Sequence, residues 1–211
     1  MLDAIKNHLQ TIDSYDQVAS RFDKIEGFLK AKEGFALTLL AMQGPGAGAI
    51  VEIGSFKGRS TCFLALGSQL ANREKITAID HFRGSPEHQP GQAFADRAIA
   101  ACGSTLPTFR ANLAAAGLDQ QVEAMAMSST EAAADWRRPI RLLFIDGDHG
   151  YEATKRDFDA FAPHVMPEGV ICFHDVGPWP GVTRFVAELV GQGVWRHRFT
   201  IHSLAAVSRD A

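Results

Sequence analysis

The chain has 211 residues, of which 46% are hydrophobic, and a formal net charge of -3. These values are typical of one domain with a sizeable core. Because its 21 Lys and Arg form no basic run and are outnumbered by 24 Asp and Glu, we expect no nucleic-acid partner. The start of the chain has no signal-peptide core, and the longest apolar run, FALTLLAM, is too short to span a bilayer. We therefore expect a cytoplasmic protein without a membrane partner.

The first 43 residues are predicted to be helical, because Ile25, Phe28, Leu29 and Phe35 fall at spacings that give one apolar face. The break QGPGAGA then separates this helical preface from the rest of the chain. We predict an N-terminal helical cap region at residues 1–43 and a ligand-binding domain at residues 44–211, within one compact fold. The cap helices could cover the ligand or pack on a second subunit, so the sequence leaves a homo-oligomer open.

Short apolar runs after the break predict strands, and the segments between them have helical spacing and are long enough to cross a sheet. The tail FTIHSLAAVSR predicts two further strands in an antiparallel arrangement. This alternation predicts an α/β fold with a mostly parallel sheet and helices on both faces. The first five predicted strands are AIVEIG (49–54), ITAID (76–80), VEAMAM (122–127), LLFID (142–146) and VICFHD (170–175).

A long segment rich in glycine, proline and histidine follows the second predicted strand and begins HFRGSPEHQPG at position 81. It is long for a simple connection, which favours a loop or lid beside a ligand. His81 and His88 lie in this segment and could contact an acceptor. Trp179, in the later segment GPWPGV, could border the same pocket.

The turn VEIGSFKGRST follows the first strand and opens a helix, which is where open α/β sheets bind ligands. Only three residues separate Gly54 from Gly58, too few for a P-loop, and Phe56 stands where a dinucleotide fingerprint needs glycine. S-adenosylmethionine fits better, because it has no phosphate and presents an amino-acid end. Gly54 would allow close backbone approach, Glu52 would face the ammonium group, and Ser60 would bind the carboxylate.

Two polar residues that follow the second and third strands complete the predicted cofactor site. Asp80 ends the second strand, where a carboxylate can accept both ribose hydroxyls, although an isolated Asp more often caps a turn. Ser128 follows the third strand, where it could meet the adenine edge or serve as a helix cap.

The motifs VEIGSFKGRST, AID, IDGDHGYEATKRDF and the later HD resemble, in this order, a class I S-adenosylmethionine-dependent methyltransferase. The group they resemble most is the bacterial macrocin and mycinamicin sugar O-methyltransferase family. The resemblance implies a Rossmann-like, seven-stranded sheet with its last strand antiparallel. It also implies a cofactor site that contains the residues named above, to which we add Ser55, Gly58 and Asp146.

Acidic and histidine side chains end the fourth and fifth strands, at neighbouring edges of the predicted sheet. Asp146 would then converge with His174 and Asp175, and adjacent carboxylates need a positive partner. In the resembled family the matching positions bind a divalent ion, usually magnesium, through three acidic residues. His174 replaces one of these acids here, which suits manganese better than magnesium, or leaves His174 as a hydrogen-bonding partner with no metal bound.

Transfer of a methyl group to an alcohol requires a base. His149 and Asp148 both follow the fourth strand and match positions that act as bases in the resembled enzymes. Alternatively, Asp148 caps the next helix and His149 packs beside it.

We therefore expect an O-methyltransferase acting on a hydroxyl of a small molecule or sugar, with metal assistance if an ion binds. A non-catalytic S-adenosylmethionine-binding module and a metal-dependent hydrolase are the alternatives.

Overall fold

The computed structural model describes residues 12–210, and its fold is an α/β sandwich around one seven-stranded sheet. The helical prediction for residues 1–11 lies outside the described residues. The strand order is β3-β2-β1-β4-β5-β7-β6. The strands are β1 (Ala49–Ile53), β2 (Ile76–Ile79), β3 (Val122–Met125), β4 (Ile140–Ile145), β5 (Val165–Phe173), β6 (Arg196–Ile201) and β7 (Leu204–Ser208).

Helices connect these strands and cover both faces of the sheet. A 3₁₀ turn at Pro86–His88 lies in the segment after β2. The α-helices are α1 (Ile12–Ala19), α2 (Ala31–Gln43), α3 (Arg59–Leu70), α4 (Arg97–Cys102), α5 (Leu106–Ala116), α6 (Ser129–Ala134), α7 (Tyr151–Phe161) and α8 (Pro180–Gly191).

Strand pairing confirms the predicted topology. Strands β1 to β5 pair in parallel, whereas β7 pairs antiparallel with both β5 and β6. All five predicted parallel strands form, within a few residues of their predicted bounds. The order reverses between β1 and β4, because the chain starts at β1, proceeds outward to β3 and returns to β4. Parallel sheets bind ligands at such a reversal, beyond the carboxyl ends of the strands.

Successive side chains of the central strands point alternately into two separate hydrophobic cores. Leu142 and Phe144 point to the core that contains α2 and α3, and Leu143 and Ile145 point to the core that contains α7 and α8. These strands are apolar on both faces because helices bury both of them, as expected for a parallel sheet.

Helix α2 is part of the first core. A Cβ on Gly67 of α3 would lie 2.1 Å from the Thr38 carbonyl oxygen, so glycine is needed for this close helix crossing. The fully buried guanidinium of Arg141 donates to the carbonyl oxygens of Leu40 and Ala41 and pairs with Glu74. This cation stabilises the carboxyl end of α2 and fixes it to the first residues of β4.

Among residues 12–210, no helix combines the length and apolar content that crossing a membrane requires.

Candidate active site

A cavity of about 530 Å³ opens at the carboxyl ends of β1, β2, β3, β4 and β5. Its volume is in the usual range for a small-molecule site. Of the predicted site residues, ten line the cavity: Gly54, Ser55, Ser60, Asp80, Ser128, Asp146, Asp148, His149, His174 and Asp175.

The turn between β1 and α3 forms the floor of the cavity. Gly54 has a φ of 86°, and a Cβ there would lie 2.0 Å from the carbonyl oxygen of Asp146. Only glycine fits this position without displacing the β4 edge. The turn therefore keeps the backbone of β1 and β4 close together where a ligand would lie.

Asp80 holds this turn in shape. One of its carboxylate oxygens accepts from the backbone N–H groups of Ser55 and Phe56, at 2.9 and 2.8 Å, and the other accepts from Phe82 at 2.6 Å. Phe56 and Phe82 both have positive φ angles, which cost energy for bulky residues. The Asp80 carboxylate also lines the cavity, so its remaining lone pairs are available to the ribose hydroxyls predicted for it.

Two predicted cofactor residues do not line the cavity. The Glu52 side chain is fully buried behind the turn, where one carboxylate oxygen accepts from Ser55 and Thr61 at 2.8 and 2.5 Å. Its other oxygen has no hydrogen-bond partner, and burial raises the pKa of Glu52 to about 7. Gly58 has a φ of 89° and lies against Phe109, so it serves the backbone at the start of α3.

Polar groups after β3 line another part of the cavity wall. Ser128 caps α6, accepting from the Glu131 N–H and donating to its carboxylate. The neighbouring Ser129 donates to Asp157 of α7 at 2.5 Å. Asp157 is 4% exposed and lines the cavity, and burial raises its pKa. Sequence reasoning missed Asp157, which follows Arg156 in an ordinary amphipathic helix.

His174 lies at the centre of a buried ionic network. Its Nδ1 lies 3.1 Å from Asp146 and its Nε2 lies 3.3 Å from Glu33 of α2. A neutral imidazole has only one N–H, so facing a carboxylate at each nitrogen favours the charged imidazolium. Burial alone would lower the pKa of His174, but the surrounding carboxylates raise it to about 12.

Glu33 anchors this network from the cap region. The carboxylate is fully buried and accepts from the N–H of Lys30 at 2.7 Å and from the N–H and hydroxyl of Ser203, each at 2.8 Å. Sequence reasoning missed Glu33, although a carboxylate inside the apolar run AKEGFALTLLAM was the available signal. Glu33 thereby connects α2 to the ends of β5 and β7.

His149 lies at the cavity wall between two carboxylates. Its Nε2 is 2.9 Å from Asp175, and its Nδ1 is 2.8 Å from Glu87, without the alignment of a hydrogen bond. Trp179 stacks on the imidazole at a ring distance of 4.2 Å, so it orients His149. Burial alone would lower the pKa of His149, but Asp175 outweighs burial and raises it above 6.5.

Asp148 is engaged locally. Its carboxylate accepts from the Gly150 N–H at 2.7 Å, directly before α7. Gly150 is the N-cap of α7 and no side chain caps it, so Asp148 shapes the turn before the helix and does not cap it as the sequence allowed. Asp148 nevertheless lines the cavity, so its role as the base stays a prediction.

Comparison with known proteins identifies the family. Residues 51–176, more than half of the chain, match the family described as methyltransferase domain. The chain belongs to this methyltransferase family. The match runs from β1 to the residue after Asp175, and so includes the turn, Asp80, Asp146, His174 and Asp175 but not Glu33.

Solved structures share the methyltransferase fold at low sequence identity. The O-methyltransferase NovP is 18% identical with a TM-score of 0.67, over 86% of this chain and 81% of that protein. An O-methyltransferase from Bacillus cereus in complex with SAH is 19% identical with a TM-score of 0.61, over 99% and 100%. CalS11, a TDP-rhamnose 3'-O-methyltransferase, is 15% identical with a TM-score of 0.56, over 94% and 96%. These likenesses confirm the predicted fold, and the family match sets the hydrolase alternative aside.

The cavity of this methyltransferase suits S-adenosylmethionine. Gly54 lets β1 and β4 lie close together at the floor, and Asp80 and Ser60 at the start of α3 supply polar groups to the cavity. S-adenosylmethionine bears one net positive charge, which the carboxylates of the cavity would stabilise.

The predicted metal ligands fit only in part. Asp146 and Asp175 converge as expected, but both nitrogens of His174 face carboxylates, so the third predicted ligand is already engaged. The structure instead places His149 with the two carboxylates, their donor atoms within 4.8 Å of one another. Because both ring nitrogens of His174 already face carboxylates, at 3.1 and 3.3 Å, the predicted ligand set of Asp146, His174 and Asp175 does not fit a divalent ion.

Proposed function

We propose that this methyltransferase transfers the methyl group of S-adenosylmethionine to a hydroxyl oxygen of a small molecule or sugar, with His149 as the base. The observation that carries the proposal is the 2.9 Å pair between His149 and Asp175 at the wall of the cofactor cavity. A base at this position can remove the proton that the acceptor hydroxyl loses. S-adenosylmethionine supplies the electrophilic methyl group when it is bound.

The tautomer of His149 follows from its partners. Asp175 is a carboxylate whose pKa lies well below its usual value; burial would raise that pKa, but hydrogen bonds from His149 and His174 outweigh burial. It therefore accepts a hydrogen bond from the Nε2–H group, so a neutral His149 carries its lone pair on Nδ1. Nδ1 is also the nitrogen without a hydrogen-bond partner, so it is the atom available to a hydroxyl.

Glu87 stands beside the basic nitrogen. Its carboxylate oxygen lies 2.8 Å from Nδ1 and also has no aligned partner. A hydroxyl reaches Nδ1 after Glu87 turns aside, and the carboxylate then stabilises the imidazolium that proton transfer creates. Asp175 and Trp179 hold the ring during this step, because they pack on its other nitrogen and its face.

His174 supplies the positive charge that the converging carboxylates require. It lies 3.1 Å from Asp146 and 3.4 Å from Asp175, and Glu33 on its far side favours the imidazolium. A protein cation at this place offsets the repulsion between the two carboxylates without a metal ion. Asp175 can therefore stay ionised beside the reacting groups, whereas burial raises the pKa of Asp146 despite the nearby imidazolium.

A divalent metal is the second candidate for activating the hydroxyl, because Asp146, His149 and Asp175 form a three-ligand group. An ion bound there would occupy a lone pair of His149 and would prevent it from acting as the base. A chelator therefore distinguishes the two routes.

Methyl transfer from labelled S-adenosylmethionine to a panel of hydroxyl compounds tests the proposal. We expect turnover that persists with chelator, is lost in His149→Gln and survives in Asp148→Asn. S-adenosylhomocysteine should bind all three proteins, which separates catalysis from cofactor binding and from folding.

Two results would overturn these assignments. Turnover that survives in His149→Gln and disappears in Asp148→Asn would make Asp148 the base. Turnover that disappears with chelator and returns with manganese would make the metal essential. The cytoplasmic location, the cap-and-domain division and any oligomer stay predictions.

A further inference from the structure

Four aromatic side chains from three separate segments form one cluster at the cavity, here called the aromatic wall: Phe28, Phe56, His88 and Phe94. His88 stacks on Phe56 at 5.1 Å and on Phe28 at 6.0 Å, and Phe94 meets Phe28 edge to face at 5.6 Å. Phe28 is 60% exposed and Phe94 is 48% exposed. Within residues 12–210, these are the only two exposed phenylalanines, so the wall concentrates apolar surface that folding leaves uncovered.

The aromatic wall is continuous with the catalytic site. Phe28, Phe56 and His88 line the same cavity as His149. His88 follows Glu87 directly in the 3₁₀ turn Pro86–His88, and Glu87 lies 2.8 Å from the basic nitrogen of His149. One short turn therefore places the wall and the proton acceptor next to each other. A ligand lying on the wall would have its near edge beside His149.

A buried lysine holds the segments of the wall together. Lys57 donates to Glu26 at 2.7 Å and to Asp96 at 2.5 Å, and its ammonium lies 5.0 Å from the Phe56 ring centre. Glu26 precedes Phe28, and Asp96 follows Phe94, each by two positions. The ion pairs thus fix the backbone beside the exposed rings, while the rings themselves stay free to contact a ligand.

The charge of the cavity limits what this ligand can be. Two arginines line the cavity, and Arg59 is already paired with Asp23 at 3.2 Å. Phosphate recognition relies on clusters of Arg and Lys, whereas Arg156 is the only other arginine among the described residues that lines the cavity, so a diphosphate would meet no such cluster here. Six carboxylates line the same space: Glu26, Asp80, Asp146, Asp148, Asp157 and Asp175.

We propose that the acceptor is an uncharged compound whose reacting hydroxyl lies on an aromatic ring, and that the ring stacks on Phe28, against which Phe94 packs edge to face. This inference rests on the proposed function, because it names the substrate class of the same site. Ring-on-ring contact adds to simple apolar burial, and a free sugar has no aromatic ring to make that contact. A phenol also loses its proton more easily than an alcohol, which suits activation by histidine alone.

Calorimetry with three probes tests the proposal on protein saturated with S-adenosylhomocysteine. Catechol is uncharged and aromatic, phenyl phosphate is aromatic and anionic, and methyl glucoside is uncharged without an aromatic ring. We expect catechol to bind about ten-fold more tightly than either other probe, because only catechol meets both the ring contact and the charge condition.

Substitutions in the aromatic wall test whether catechol binds there. Phe28→Ala and Phe94→Ala should each weaken catechol binding about two- to ten-fold, whereas Phe28→Leu, which keeps apolar area without a ring, should recover only part of the loss. Leu70→Ala is the matched control, since Leu70 is 63% exposed at the other end of α3. All four variants should bind S-adenosylhomocysteine unchanged.

Each other outcome contradicts the proposal. Equal or tighter binding of methyl glucoside would favour a sugar acceptor, and tighter binding of phenyl phosphate would favour an anionic one. If Phe28→Ala does not change the catechol affinity, the aromatic wall is not part of the acceptor site. Failure of S-adenosylhomocysteine to bind would contradict the proposed function itself, and so differs from failure of the probes alone.

Discussion

Replacing Glu33 with Gln tests the network behind the active site. The variant keeps the shape of the side chain but removes the charge opposite the His174 imidazolium, which lies 3.3 Å away. The two side chains are 0% and 2% exposed, so water cannot compensate for the loss. Removing one partner of a buried ion pair costs about 3–5 kcal/mol, or about 6–20 °C in Tm for a chain of this size.

The pKa of Glu33 predicts how the stability difference between the two proteins changes with pH. Burial alone would raise the pKa of Glu33, but hydrogen bonds from His174, Lys30 and Ser203 lower it from 4.5 to about 2. A depressed carboxyl pKa stabilises the fold above the unfolded value, and this stabilisation is lost as pH falls through the folded value. The difference between the two proteins should therefore be full at pH 6 and should shrink as the pH falls from 4.5 toward 2.

Urea unfolding of both proteins across this pH range is the assay. Glu123→Gln is the control, since Glu123 is 54% exposed in a surface pair with Arg138, and such pairs contribute about 0–1 kcal/mol. A Glu33→Gln loss no larger than that of the control would refute the buried ion pair. A loss that stays constant down to pH 2 would refute the assignment of a charged Glu33.

Three further predictions concern the site. Asp80→Ala should weaken S-adenosylhomocysteine binding by about ten-fold or more, measured by calorimetry, because the turn loses its backbone acceptor and the ribose loses a partner. Gly54→Ala should lower Tm and abolish that binding, since its Cβ would lie 2.0 Å from the Asp146 carbonyl; Gly103→Ala, with positive φ but open space, should only cost modest stability. Turnover should rise with pH above 6.5 and level off above the raised pKa of His149. His149→Gln should lower the turnover rate about 100-fold or more. A turnover rate that does not change with pH would count against His149 as the base.

The sequence predicted the sheet because its strands are apolar on both faces and its helices are amphipathic. Runs such as LLFI and VICF allow few other placements, and the cavity follows from where parallel strands end. The same argument placed Gly54, Asp80 and His149 at this edge of the sheet, and all three line the cavity, while their roles stay predictions.

Side-chain pairing could not be predicted in this way. His174 meets Glu33 across 141 positions of sequence, so no local pattern shows that both of its nitrogens are engaged. Glu52 was expected beside the ligand. Its position in β1 instead points its side chain into the buried layer behind the turn, where Ser55 and Thr61 donate hydrogen bonds to it. Alternation along a strand decides which face a side chain takes, whereas contacts between distant segments decide its partner.

Titration of S-adenosylhomocysteine into the wild-type protein, with chelator present throughout, tests the central claim most directly. The account predicts micromolar binding that chelator does not change and that Asp80→Ala weakens. No detectable binding by the folded protein would contradict the assignment of this cavity to S-adenosylmethionine, and binding that appears only after manganese is added would contradict a site whose positive charge comes from His174.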